Sequence, residues 1–265
     1  MVPDSTLGGV NARAALFDLY GDHLRSRGGR ASVAALVRLL APLEIAPPAV
    51  RTAISRMVRQ GWLDPVRLPQ GAGYAATPKC VRRLDEAAAR VYRGGTITWP
   101  GRWHLLVIEP VRDRTRRERL RAHLSFLGYA PLSETTWIGP RASAELDQLD
   151  LKADRFEAVL DGDPADLLAR AWDLDAIGRA YDEWLAGARP LIDGLSGDAP
   201  DDRVFAVRSR FVHTWRNFLF RDPGLPAALL PPGWPGDKAR AYFEQEASRL
   251  MPRAAAFVER TLTTS

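Results

Sequence analysis

The amino-acid sequence predicts an α+β protein with a helical C-terminal part, and three observations lead to this fold class. Three short amphipathic helices and two strands fit within the first eighty residues. Strands and helices then alternate as far as Leu160, and helical patterns dominate from Pro164 onward. A chain of 265 residues is long enough for two or three compact domains. We therefore expect three domains, over residues 1–95, 96–162 and 163–265.

Three short helices are predicted at the N-terminus. The pair Gly28 and Gly29 separates the first helix from the second, for which Ser32 is a plausible N-cap. Pro47 lies in the first turn of the third helix, where proline is tolerated, and Gly61 ends that helix. The predicted ranges are Ala12 to Leu24, Val33 to Leu40 and Pro48 to Gln60.

A two-stranded hairpin is predicted after the third helix. Residues Trp62 to Arg67 alternate as a strand, Pro69 to Gly73 are rich in turn formers, and Tyr74 to Thr77 return as a second strand. Two helices, a tight turn and a hairpin follow the order of a winged helix-turn-helix, in which the last helix enters the major groove. A linking helix from Lys79 to Arg93 then leads to a domain boundary at the breakers Gly94 and Gly95.

The third helix has two chemically different faces. Val50, Ile54, Met57 and Val58 fall on one side and are expected to be buried. Arginines and hydroxyls, which suit guanine edges and phosphates, occupy the other side. An ordinary solvated basic face is the alternative for an isolated helix, but the helices and hairpin around it favour a recognition helix. The expected DNA contacts are Arg51, Thr52, Ser55, Arg56 and Arg59 on the helix, with Arg67 and Tyr74 on the hairpin.

The charge distribution supports a nucleic-acid partner. The formal net charge is +5, but residues 25–93 carry about +9 and residues 145–183 about −8. Local positive potential is what phosphate binding requires, although two solvated faces of drifting composition would give the same numbers.

The central part is predicted to be a small α+β sandwich. The order strand, helix, strand, helix, strand suggests a ferredoxin-like sheet, although a fourth strand is not obvious. The expected strands are Trp103 to Ile108, Thr135 to Ile138 and Phe156 to Leu160, and the expected helices are Arg114 to Leu127 and Ser143 to Leu149. The helices expected beyond them are Pro164 to Trp172, Asp175 to Ala188, Asp202 to Phe220, and Asp237 to Leu262 with an interruption at Pro252.

Distinctive motifs recur along the chain: residues 27–29, 49–58 and 61–63, then Trp99-Pro100-Gly101-Arg102-Trp103, and finally residues 215–226, 229–231 and 234–236. With these motifs the chain resembles the PaaX family of repressors of aromatic-acid catabolism. The resemblance implies a three-part dimeric repressor with a winged helix, a ferredoxin-like middle domain and a helical C-terminal domain. It also implies release from operator DNA by an aryl-acyl-coenzyme A, typically phenylacetyl-coenzyme A.

A polar face in the C-terminal motif is the candidate effector site. Basic side chains and Asn217 recur there at helical spacing, and a coenzyme A thioester favours arginines for its phosphates and aromatic residues for its acyl group. A solvated or interdomain ion-pair face is the preferred alternative. The candidate ligand residues are Arg210, His213, Trp215, Arg216 and Arg221.

Two rival functions stay open. One is a metal-dependent nuclease, because the middle domain resembles CRISPR-associated nucleases, but Glu109 is the only carboxylate where a metal ligand is expected. The other is an acyl-coenzyme A binding module without a regulatory role. Arginines crowd residues 112–121, where they are either solvated or bound to phosphates of DNA or effector.

We expect no enzymatic activity, catalytic residue, metal or cofactor. Cys80 has no cysteine partner and is expected to be a small packed thiol. No apolar run approaches the length of a membrane span, and the first nine residues lack the features of a signal peptide. The expected location is the cytoplasm.

Overall fold

The computed structural model describes residues 10–91, 98–149 and 151–264, in which α-helices and two small sheets form two compact units. The first unit comprises Met1–Arg93, Glu183–Arg216 and Lys238–Ser265, and the second comprises Gly94–Asp182 and Asn217–Asp237. This division follows compactness, and the three predicted domains stay a prediction. Among the described helices, none combines the length and apolar character needed to cross a membrane.

The first helix changes its winding along its length. Helix α1 (Ala12–Leu19) is capped by the Asn11 side chain and continues into a π-helical turn over Tyr20–Leu24 and a 3₁₀ turn over Arg25–Arg27. The predicted helix over residues 12–24 is therefore confirmed, but its last five residues are wound more loosely. Wide turns of this kind are rare and are frequent at functional sites.

A short strand that the sequence pattern did not predict precedes the second helix. Strand β1 (Arg30–Ser32) has only three residues, too few to show alternation. Helix α2 (Val33–Leu40) has the predicted bounds, and its first turn is capped as expected, because the Ser32 hydroxyl accepts from the Ala35 amide at 3.1 Å.

The third helix and the hairpin follow directly. Helix α3 (Pro47–Arg59) precedes strands β2 (Leu63–Leu68) and β3 (Gly71–Ala76), and the antiparallel sheet has the order β1-β3-β2. The predicted turn over residues 69–73 is wrong in length, since β3 already starts at Gly71. A glycine-rich strand looks like a turn in sequence, but Gly73 lets β1 approach closely: a Cβ there would lie 2.7 Å from the Ala31 carbonyl oxygen.

A hydrophobic core joins the N-terminal and C-terminal parts of the first unit. It joins side chains of α1, α2 and α3 to Phe205 and Val258 from the C-terminal helices. Helix α4 (Pro78–Val91) contributes Cys80 and Leu84. Cys80 is fully buried, as a packed thiol should be. Residues 92–97, which include the predicted boundary glycines, lie outside the described part of the chain.

The second unit is built on a four-stranded antiparallel sheet. Its elements in chain order are β4 (Trp103–Ile108), α5 (Arg114–Phe126), β5 (Ala130–Pro131), β6 (Thr136–Gly139) and β7 (Ala153–Ala158). The strands lie in the order β5-β6-β4-β7. A fourth strand is thus present, but β5 has only two residues and gives no periodicity. The strand predicted over 156–160 begins three residues earlier and ends two residues earlier, because its exposed side chains give little apolar alternation.

The two faces of this sheet pack into separate clusters. Leu106 and Ile108 of β4 pack with Leu124 of α5, whereas Trp103 packs with Leu167 and Leu168 of helix α6 (Pro164–Ala171) on the other face. A 3₁₀ turn over Ala144–Gln148 replaces the short helix predicted there, and the Ser143 side chain accepts from the Glu145 amide.

Three long helices complete the described chain: α7 (Leu174–Asp193), α8 (Asp201–Arg216) and α9 (Pro235–Thr263). Helix α8 ends four residues earlier than predicted and continues as a 3₁₀ turn over Asn217–Phe220. The predicted interruption of α9 at Pro252 is wrong. Pro252 is exposed, while Leu250 and Ala254 on either side are buried, so packing on both sides of the proline keeps the helix continuous.

Candidate nucleic-acid interface

Helix α3 presents the predicted polar face to solvent. Val50, Ala53, Ile54 and Met57 are buried in the core of the first unit, and Val58 is half-buried. All five side chains expected to contact DNA from this helix are exposed: Arg51, Thr52, Ser55, Arg56 and Arg59. The predicted burial of the apolar face of α3 is therefore confirmed, and a row of three cations and two hydroxyls projects from the opposite side.

The C-terminal end of α3 is held in a fixed geometry. The Trp62 amide donates to the Met57 carbonyl and the Gly61 amide to the Val58 carbonyl, both at 2.9 Å, with Gly61 at a φ of 70°. This pair of hydrogen bonds is a Schellman motif, which ends a helix sharply at a left-handed residue. The Lys79 ammonium donates to the Gln60 carbonyl at 3.0 Å and lies 4.2 Å from the Trp62 ring centroid. The direction of α3 is thereby fixed relative to the hairpin.

The turn between α2 and α3 depends on a strained residue. A 3₁₀ turn over Ala41–Leu43 ends at Glu44, whose φ of 62° is the only positive value at a non-glycine residue in the described ranges. A left-handed residue other than glycine costs about 1–2 kcal/mol. The Arg210 guanidinium approaches the Glu44 carboxylate at 3.5 Å, so α8 contacts the turn that sets the angle between these two helices.

The two hairpin residues that are predicted to contact DNA differ in their exposure. Arg67 is exposed beside the Pro69–Gln70 turn at the free end. Tyr74 is half-buried, packs against the core, and its carbonyl accepts from the Tyr20 hydroxyl at 3.0 Å. It lies on the same face of the sheet as buried Leu63, since Pro65 opposes it in the register. Arg67 is available to a partner, whereas Tyr74 has a packing role; contact of either with DNA stays a prediction.

The exposed arginines of this surface differ from other arginines of the first unit in their ion pairing. In the described ranges, no ion pair links Arg51, Arg56, Arg59 or Arg67 to a carboxylate. By contrast, further arginines of the unit are paired, and the pairs are Arg25 with Asp85, Arg27 with Glu259, and Arg253 with Asp201. A surface whose cations lack internal partners keeps its positive potential for an external anion.

Three of the predicted effector residues bind the N-terminal part of the same unit instead of facing a shared pocket. The His213 imidazole contacts the Asp18 carboxylate at 2.7 Å, and the Arg216 guanidinium binds the other oxygen of that carboxylate. Arg210 approaches Glu44. These three side chains therefore join α8 to α1 and to the turn before α3 within one unit, so they form an ion-pair face, the kind of alternative that the sequence left open.

The two other predicted effector residues lie elsewhere. Trp215 is buried, with its ring stacked on Phe243 at 4.6 Å between centroids. Arg221 is exposed and belongs to the second unit. A direct ligand contact by any of the five residues stays a prediction.

The most deeply buried charge of α8 was missed from the sequence. Arg208 is 1% exposed, pairs with Asp22 and donates to the Ala247 carbonyl at 3.0 Å. A signal for it exists in the sequence, because Val204, Arg208, Phe211 and Trp215 share one helical face, and a cation on an apolar face requires a buried partner.

Burial and neighbouring charges shift two pKa values in this network. Burial alone would raise the pKa of Asp22, but the charges of Arg208, Arg216 and His23 outweigh it and lower the pKa to about 2. Burial, reinforced by nearby arginines, lowers the pKa of His23 to about 4 despite the Asp22 charge. The network therefore combines an ionised Asp22 with a neutral His23 near neutral pH.

Three family models match the chain in succession. They are described as PaaX-like protein over residues 11–79, PaaX protein central Cas2-like domain over residues 96–159, and PaaX-like protein C-terminal domain over residues 172–260. A curated relative, the Transcriptional repressor PaaX of Escherichia coli, is 29% identical over 271 residues, covering 97% of this chain and 85% of the relative.

A solved structure gives a similar result. The Uncharacterized protein Rv0674 from Mycobacterium tuberculosis is 27% identical, with a TM-score of 0.57 over 93% of this chain and 98% of that chain. The similarities thus extend over all parts of the chain that contain the interface and the ion-pair network.

Proposed function

The chain belongs to the PaaX family, and from this premise we propose that it is a transcriptional repressor of a phenylacetate-type aromatic-acid catabolic operon. The relative from Escherichia coli that spans nearly the whole chain is named as a transcriptional repressor. A repressor acts by occupying DNA, so the function is regulatory and not enzymatic.

The observation that supports this function best is the set of exposed, unpaired arginines on α3 and the hairpin. The order of elements, α2, a turn, α3 and a two-stranded hairpin, supports the winged helix-turn-helix of this proposal. In our proposal α3 lies in the major groove, where Arg51 and Arg56 contact guanine edges or phosphates. Arg67, near the tip of the hairpin, then contacts the adjacent backbone.

The active form in this proposal is a homodimer. Two copies related by a two-fold axis would place two α3 helices on successive half-sites of a palindromic operator. The strand order β5-β6-β4-β7, with β5 and β7 at the edges, supports the ferredoxin-like middle domain that this proposal includes.

Release of the operator is assigned to an aryl-acyl-coenzyme A effector. An effector releases DNA only by binding the free form more tightly than the DNA-bound form. The contacts of His213 and Arg216 with Asp18 provide a physical connection, since a shift of α8 would be transmitted to α1 and hence to the core under α3. These α8 residues act in this proposal as the connection between effector and DNA.

A fragment selection against genomic DNA, with and without phenylacetyl-coenzyme A, tests the function. We expect enrichment of fragments that share a palindromic site, and loss of this enrichment with the thioester. Affinity for the enriched site should fall steeply with salt, because phosphate contacts release counterions. Phenylacetate itself should have no effect, because it lacks the phosphates. Failure to enrich any site would contradict the repressor function, whereas enrichment that the thioester leaves unchanged would contradict only the effector.

A further inference from the structure

A groove of about 750 Å³ lies beside α5 in the second unit. Its basic lining residues are Arg112, Arg116, Arg119 and Lys152, and His123 adds an imidazole. Two carboxylates also line it, those of Glu109 and Asp113. Lys152 approaches Glu109 at 3.8 Å, and Asp113 caps the helix by accepting from the Arg116 amide at 2.7 Å. Four cations against two anions leave the groove with a net positive charge.

Helical spacing divides the arginines of α5 into two sets. Arg116, Arg119 and His123 recur at intervals of three and four residues on the side that lines the groove. Arg114 and Arg121 lie outside the groove lining, although both are exposed on the same helix. In the described part of the chain, Arg112 and Arg119 form no ion pair, whereas Arg114 pairs with Glu118 at 2.9 Å. Arg121, outside the groove, is also without an ion pair among the described residues, so the groove differs from the rest of the helix surface in its concave shape and in its cluster of cations.

The basic residues also oppose the helix dipole. Helix α5 has no acidic residue in its first turn, which instead contains Arg114, Arg116 and Arg117. Cations at a helix N-terminus are unfavourable, and an anion bound there would offset them further than the Asp113 cap alone. A negatively charged ligand would therefore stabilise this arrangement.

An apolar wall completes the groove. Leu120, Leu149 and Leu151 line it, and all three are half-buried. The backbone of duplex DNA is a convex surface of charged phosphates and sugars, which does not match a concave site with an apolar wall. A concave site with cations on one side and leucines on another suits a small molecule with phosphate and apolar groups.

We propose that this groove binds an organic phosphate of that kind, with its phosphates at Arg112, Arg119 and Lys152 and its apolar group against the three leucines. The choice of ligand rests on the proposed function, because an acyl-coenzyme A effector combines these two chemical features. The effector site is thereby assigned to α5 and its neighbours, and the ion-paired residues of α8 are not required to hold the ligand.

Calorimetric titration of the full chain with coenzyme A and with phenylacetyl-coenzyme A tests the site. The double variant Arg112→Gln with Arg119→Gln removes two charges from the groove. A matched control, Arg114→Gln with Arg121→Gln, removes two charges from the same segment outside it. We expect the groove variant to lose at least tenfold in affinity for both compounds and the control to stay within twofold of the unaltered chain.

Operator affinity of the same three proteins, measured without ligand, separates the possible failures. Operator binding by the unaltered chain with no binding of either compound, or with equal binding by both variants, would overturn the groove site and leave the repressor function standing. Loss of operator affinity in the groove variant, with thioester binding intact, would make the groove a DNA contact and would also overturn the inference. Thioester binding that depends on the groove, in a chain that binds no operator, would support the site and contradict the repressor.

Discussion

Arg51 and Arg56 have the same charge as Arg208 but different surroundings. Arg208 is buried and neutralised by Asp22, whereas Arg51 and Arg56 are exposed on α3. Removal of a buried partner exposes an uncompensated charge and destabilises the fold. Removal of an exposed arginine leaves the fold unchanged and alters only what the surface can bind.

Arg51→Ala and Arg56→Ala should each weaken operator binding by about 1–3 kcal/mol, the usual contribution of a base-reading arginine. Gel-shift titration measures the affinity, and circular dichroism checks that the fold is intact. Arg203→Ala, an exposed arginine of α8 in the same unit, is the matched control and should bind normally. Normal operator binding by both α3 variants would contradict the placement of this helix in the DNA major groove.

His23 makes stability depend on pH. Burial lowers its pKa from 6.5 to about 4, so the folded protein binds fewer protons than the unfolded chain between these values. The stabilisation is therefore fully present above pH 6.5 and is lost as the pH falls toward 4. It amounts to at most about 3 kcal/mol.

Denaturant titrations from pH 7 to pH 4 should show this loss in the unaltered chain and a much smaller one in His23→Phe, which cannot titrate. The Phe205 ring, 5.5 Å from the imidazole, offers an aromatic neighbour to the new side chain. Asp22 adds no slope in this range, because the stabilisation from its lowered pKa is lost only as the pH falls from 3.8 toward about 2. Equal slopes for the two proteins above pH 4 would show that His23 does not titrate in this way.

At the scale of elements, the sequence predicts those helices whose ends have local signals. Helix α2 has the predicted bounds because Ser32 caps it, and α3 differs by a residue because proline and glycine mark its ends. Strands β1 and β5 were missed because three and two residues show no period. Their pairing partners lie distant in sequence, and only the folded chain brings them together.

The residues of the candidate site also differ in whether local sequence pattern predicts their positions. The exposed face of α3 follows from helical periodicity alone. The position of Tyr74 depends on a contact with Tyr20, 54 positions away. Arg208, His213 and Arg216 of α8 contact Asp22 or Asp18, which lie 186 to 198 positions away. Sequence pattern cannot identify such partners, although it did identify an ion-pair face as the alternative to a ligand site.

Two glycines of the first unit should respond oppositely to the same substitution. Gly61, at a φ of 70°, ends α3, and Gly61→Ala should cost about 1 kcal/mol through backbone strain alone, because no atom lies within 4 Å of a Cβ there. Gly187 lies inside α7 with equal space, so Gly187→Ala should stabilise by about 0.5–1 kcal/mol. Thermal unfolding of both variants measures the difference, and shifts of the same sign would contradict the Schellman end of α3.

At the scale of the whole molecule, the first unit contains both the proposed DNA surface and the helices that follow the middle part in sequence. Residues 183–216 and 238–264 pack with the N-terminal residues in one core. In the proposed repressor, the helix that reads DNA and the C-terminal helices would share this core. An effector that displaced α8 would then change the support of α3.

The central claim, that α3 lies in the major groove of an operator, is tested most directly by cleavage of DNA from the helix itself. Cys80 is fully buried and burial raises its pKa to about 11, so a cysteine introduced by Ser55→Cys on α3 would react selectively with an iron-chelate cleavage reagent. Ser248→Cys, exposed on α9, is the control.

The account predicts cleavage from position 55 at two symmetric places in the selected operator, about 10 base pairs apart or a multiple of that spacing, and none from position 248. Operator binding without localised cleavage from position 55, or with cleavage only from position 248, would contradict it.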